Sequence, residues 1–174
     1  MNYEPKQIGK KAEKISLVLF FLAIVTVYLA NAVVGSMQWI LQIATVGLLG
    51  VFIYILVRWS FTNFKYEIKA RSKMETLPLR EVEAEKLQFY VHRSQGKRGY
   101  AAEFVCCVAD IESVEKVSDS EKYKGKRFVF YRNMGKDNRY VVKIKDEKET
   151  FFVFLEIGEE GKEFLEFLTG KIAG

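Results

Sequence analysis

Two apolar runs, Ile15 to Val34 and Met37 to Val57, contain no charged residue and are separated only by Gly35 and Ser36. A helix rises about 1.5 Å per residue, so about 20 apolar residues match the hydrocarbon core of a bilayer, about 30 Å thick. A soluble helix of that length would need a polar stripe facing water. The polar residues here are only Ser16, Thr26, Asn31, Gln38, Gln42 and Thr45, which leave no such face. A buried helical hairpin inside a soluble protein is the competing reading, but 174 residues rarely enclose two fully apolar helices. The runs therefore predict a transmembrane α-helical hairpin over residues 15–58, with spans at 15–34 and 37–57.

The net charge of +5 belongs to the edges of this hairpin. Residues 1–14 sum to +2 and residues 58–73 to +4, which leaves the rest of the chain at −1. A nucleic-acid partner needs a basic face on a folded domain, so the charge pattern argues against one. Both flanks carry the cations and the Gly35-Ser36 loop carries none, which by the positive-inside rule places both termini in the cytoplasm of a multi-pass cell-membrane protein. Ala30-Asn31-Ala32 also has the small-x-small form of a signal-peptidase site. Cleavage there is the rival to an uncleaved anchor, but the apolar run is longer than a usual signal core and a second span follows at once.

Within the hairpin, Asn31 lies about 7 Å from the loop centre along its helix, and Gln38 and Gln42 about 4 and 10 Å. Amides at matching depth are expected to bond across the helices, a contact worth about 0.6–2 kcal/mol in lipid. Without a charged residue in either span, an ion pathway is not indicated. Ala44, Gly47 and Gly50 allow close approach of a neighbouring backbone, either that of the first helix or that of another protomer.

From Phe64 onward the pattern shortens to period two. Strands are expected over 64–69, 87–92, 101–108, 111–117, 126–132, 139–145 and 150–157, with turns at Ser94–Gly99 and Met134–Asn138. A helix over about 159–169 carries Phe164, Leu165, Phe167 and Leu168 on one stripe and should cover an open face of the sheet. The domain layout is thus a basic cytoplasmic N-terminal segment, 1–14, the hairpin, 15–58, and a mainly-β domain with a C-terminal helix, 59–174.

This order resembles bacterial membrane proteins with a pleckstrin-homology-like (PH-like) domain. Val108-Ala109-Asp110-Ile111-Glu112-Ser113-Val114-Glu115 is similar to an Asp-Ile-x-x-Val stretch of that group, and Gly158 to Leu168 to its closing helix. The resemblance implies a partly open barrel of about seven strands with one capping helix and no enzymatic activity. It also implies a search for anionic ligands at basic hairpin tips, here Lys97 and Arg98 in one loop and Lys122, Lys124, Lys126 and Arg127 in another. Solvated turns that resist edge-to-edge aggregation explain the same cations.

Chemistry is sparse. His92 is the only histidine, and no nucleophile elbow or phosphate loop occurs. Cys106 and Cys107 are neighbours that point to opposite faces of a strand, with too few companions for a zinc site. No catalytic residue, metal site or cofactor is expected. The function expected is a non-enzymatic scaffold or adaptor at the cytoplasmic leaflet that binds a protein partner or its own copy. Recognition of anionic lipid by the basic loops is one alternative, and an accessory subunit of a transport system is another.

Overall fold

In a computed structural model, the residues described are 1–6, 11–71, 78–96, 98–117, 123–133, 138–146 and 149–173. The chain divides into two units, Ile8–Thr62 and a discontinuous one made of Met1–Gln7 with Asn63–Gly174.

The first unit is the helical hairpin, α1 (Lys11–Ala32) and α2 (Ser36–Ile55), extended by a π-helical turn at Leu56–Ser60. Both helices are long and apolar enough to cross a membrane. The reversal falls at Gly35, whose φ of 91° is open to glycine and strained for other residues. The buried residues of α1 are Ala12, Ser16, Ala23 and Ala30. Three of these recur every seven residues, the spacing of a left-handed helix–helix seam, and their small size lets α2 approach. Ala44, Gly47 and Gly50 of α2 are exposed instead, so within the hairpin it is α1 that supplies the small residues. Thr45 donates a hydrogen bond to Thr26 Oγ1 at 2.8 Å, and Thr26 donates to the Ala23 carbonyl, so the polar bond across the pair lies at mid-helix.

Among the described residues the second unit holds eight strands: β1 (Asn2–Tyr3), β2 (Thr62–Ala70), β3 (Leu87–Gln95), β4 (Ala101–Cys107), β5 (Ile111–Lys116), β6 (Lys126–Phe130), β7 (Arg139–Lys145) and β8 (Thr150–Glu156). They form two four-stranded sheets, ordered β1-β2-β3-β4 and β5-β7-β8-β6, and not a closed barrel. Alternation puts Phe64, Tyr66 and Ile68 of β2 and Leu87, Phe89 and Val91 of β3 into one core with Val153 and Leu155 of β8. β6 runs parallel to β8 while β7 runs antiparallel to it, so β8 lies between two strands that are consecutive in sequence. Gly125 opens β6 at φ 149°, where a Cβ would stand 3.0 Å from the Phe152 ring and from the Thr150 carbonyl.

A 3-10 turn at Glu159–Gly161 leads into α3 (Lys162–Ala173). Phe164 and Leu168 are buried in the core, and the Phe164 ring meets those of Tyr3, Tyr66 and Phe89. The helix therefore contributes two side chains to the core that both sheets share.

The N-terminal segment departs from its sequence reading. Residues 1–6 join the β unit, because Tyr3 brings an aromatic ring to the core and Met1 exchanges two backbone hydrogen bonds with Ile68, at 2.9 and 2.8 Å. Strand β1 pairs antiparallel with β2, Asn2 opposite Glu67 and Tyr3 opposite Tyr66. The hairpin is thus an insertion between two paired strands of one sheet.

Candidate interaction surface

Each sheet ends in a strand with an unpaired side, and two of these edges lie close together. Among the described residues, β4 closes the first sheet and bonds to β3 alone, and β6 closes the second and bonds to β8 alone. Between them, the Phe104 ring lies 5.2 Å from that of Phe128 and 6.1 Å from that of Phe130, yet the strands belong to different sheets. The Tyr100 hydroxyl donates to Glu4 at 3.3 Å and the Asn133 amide to the Lys6 carbonyl at 3.0 Å, which places the start of β4 near the exit of β6, so the two edges run in opposite senses. Val105 and Val129 are 45% and 42% exposed along this seam. A register shift between Val91 and His92 bulges β4 at Glu103 and bends its edge.

At the β3–β4 tip a cleft of about 350 Å³ is lined by Arg93, Arg98 and Glu103 over a floor of Gly99, Ala101 and Ala102. Arg93 donates to Glu103 at 3.1 Å, so one of the two guanidinium groups in the cleft is paired with a carboxylate of its own chain. Arg98 was legible as a basic tip residue, whereas Arg93, inside a strand, was not. Lys97 and Lys122 lie outside the described residues.

The other basic loop stands at the start of β6, the opposite end of the seam from Arg98. Lys126 lies over the rings of Phe128 and Phe151, at 5.8 and 5.5 Å, and Arg127 donates to the Tyr123 carbonyl at 2.8 Å. These two side chains are engaged with the protein itself, and Lys124 is exposed beside them. In the hairpin, Asn31 and Gln42 are exposed and Gln38 is half-buried. Thr26 and Thr45, which sequence reading passed over, make the interhelical bond, since hydroxyl pairing depends on a helix rotation that composition does not reveal.

The remaining polar clusters hold strands together. Glu156 is 3% exposed, and its carboxylate accepts from the backbone N–H groups of Arg132 and Asn133, each at 2.9 Å, and from the Asn133 amide. On the outer face of the first sheet, Glu67 lies 3.0 Å from His92 Nε2 and 2.9 Å from Lys69 Nζ. Burial alone would raise the Glu67 carboxyl, but Lys69, with Lys65 and His92, holds it below its usual value. Burial pushes the Cys106 thiol up to about 12, which leaves it protonated and a poor nucleophile at neutral pH. Among the described residues no group of histidine, cysteine, aspartate and glutamate could hold a metal ion.

Comparison of the chain with protein-family models, with curated proteins and with solved structures finds no match.

Proposed function

We propose that this protein is a membrane-anchored interaction module: the helical hairpin spans the bilayer twice and tethers a PH-like β domain at the cytoplasmic leaflet, where the β4 edge binds a protein partner. The observation that carries the reading is that edge, seven residues long and bonded on one side only, with exposed Val105 beside the Phe104–Phe128 contact. An extended segment of a partner would complete the ladder by main-chain hydrogen bonds and seat alternate side chains on the seam. Tethering raises the concentration of such a partner at the membrane.

Two further observations support the topology. Residues on either side of the hairpin in sequence belong to one β unit, so the chain returns to the side it left. The excess cations flank the helices, which favours the cytoplasm. A photo-crosslinking residue at Val105 in native membranes is expected to capture one protein reproducibly; capture of nothing above background would refute the edge. Cysteine at Asn2 is expected to resist membrane-impermeant maleimide in intact cells and to react after permeabilisation.

The Arg93–Arg98 cleft supports a second reading, recognition of an anionic lipid headgroup. The full chain in vesicles should then bind phosphoinositide-type headgroups in a salt-sensitive way. Replacement of Arg98 by Glu should weaken that binding, and unchanged binding would remove the cleft from consideration.

A further inference from the structure

The N-terminal segment lies in a cleft shaped for it. Tyr3 packs at a tilt against Tyr66 and Phe164 with ring centroids 6.1 and 6.2 Å apart, and its hydroxyl accepts the Gly158 N–H at 2.9 Å. The ring occupies space that only glycine leaves open. A Cβ on Gly161 would stand 2.8 Å from Tyr3 Cζ, as well as 2.6 Å from Ile157, and one on Gly158 would stand 3.3 Å from the Tyr3 hydroxyl. Beyond the tyrosine, Pro5 is buried and Lys6 pairs with Glu160 at 2.8 Å, while the Lys6 carbonyl accepts from the Asn133 amide at 3.0 Å. Backbone pairing, an aromatic pocket with a polar end and a terminal cation contact are the elements by which a groove recognises an extended peptide.

The hold is nonetheless slight. The ladder between β1 and β2 spans two residue pairs and the Met1–Ile68 exchange, and the Lys6–Glu160 pair is open to water. Such a strap lies at the end of the stability range where local opening precedes global unfolding. An opened strap leaves a cleft whose best-fitting ligand is the same segment on another molecule, and exchange of an identical element between protomers re-forms every contact at little net cost.

We propose that the cleft between the β2 edge, Gly158–Gly161 and Phe164 is a peptide-recognition site, filled in the monomer by the chain's own residues 1–6 and open by exchange to the same segment of a second copy. Tyr3 of one copy then completes the core of the other.

The test uses the full chain in membranes with Cys106 and Cys107 replaced by Ser. Because Met1 and Ile68 exchange both backbone bonds, Asn2 and Glu67 form the neighbouring non-hydrogen-bonded pair, with Cα atoms about 4.5 Å apart and within disulfide reach. One copy carries Asn2→Cys, a co-expressed copy carries Glu67→Cys, and a single chain carrying both serves as reference. A covalent heterodimer that is lost when Tyr3→Ala is added to the Asn2→Cys copy is the expected result. Crosslinking in the doubly substituted chain alone, without heterodimer, overturns the exchange. Hydrogen exchange on the unsubstituted chain supplies a readout that needs no variant. The Ile68 amide, bonded to the Met1 carbonyl, should exchange at least about tenfold faster than the amides of the β7–β8 ladder. Equal protection would mean that the strap opens only on global unfolding, and the proposal would fail.

Discussion

The Tyr66 hydroxyl ties the two sheets together: it donates to the Phe130 carbonyl at 2.6 Å and accepts the Glu156 N–H at 3.0 Å, with the whole side chain buried. Removing it by Tyr66→Phe leaves two buried backbone groups short of a partner, so a loss of about 1–3 kcal/mol is expected in urea titrations followed by circular dichroism in micelles. Cys106 makes a prediction about pH. Burial pushes its thiol up to about 12 in the folded chain, whereas in the unfolded chain it ionises near its ordinary value, 9.0. The unfolded state therefore gives up this proton first, and the contribution, complete below the unfolded value, is lost as pH rises toward 12. Relative to Cys106→Ala, the unsubstituted chain should lose about 1–2 kcal/mol between pH 8 and about 10, read from the difference in urea midpoints. Period-two alternation already pointed the side chains of Cys106 and Cys107 to opposite faces. That Tyr66 would find its partners on β6 and β8 was not legible, because those bonds join residues 64 and 90 positions apart.

At the scale of elements, β2 and β3 were legible from their period-two alternation, and the later strands from short apolar runs bounded by turn residues. β1 was not: two residues have no period, and Asn2-Tyr3 lies in a polar, basic stretch that reads as a tail. The helices were legible from length and lack of charge alone. Their mutual rotation was not, since each carries small residues, Ala12, Ala23 and Ala30 on one and Ala44, Gly47 and Gly50 on the other, and only packing chooses between them. The chosen rotation brings Thr26 to Thr45 and Phe20 to within 5.6 Å of Phe52. A double-mutant cycle with Thr26→Val and Thr45→Val in the full chain is expected to return a coupling of about 0.6 kcal/mol, the ordinary worth of such a bond in lipid. The same cycle on Asn31 and Gln42, which face outward, should return no coupling.

For the whole molecule, the decisive relation is that α1 and α2 interrupt a β-hairpin whose two strands, β1 and β2, pair directly. The β unit owns a core of its own, with Phe64, Tyr66, Phe89, Leu155 and Phe164 among its buried residues, so its stability does not require the apolar helices. It does require Tyr3, which a fragment beginning at residue 63 lacks. Replacing residues 7–61 with a flexible Gly/Ser linker of about ten residues should therefore yield a folded, water-soluble β unit. The same fragment without residues 1–6 should be less stable by about 1–2 kcal/mol, because the half-buried Tyr3 ring would no longer cover Tyr66 and Phe164. Dispersed amide resonances and a cooperative thermal transition would confirm the first molecule. If the fragment without residues 1–6 melted at the same temperature, the N-terminal strand would be an ornament on the sheet rather than part of its core. The paired strands also bear on the anchor: a chain cut after Ala32 would lose β1 together with α1, so an intact N-terminus and a complete β unit should be found in the same molecules by mass spectrometry and limited proteolysis.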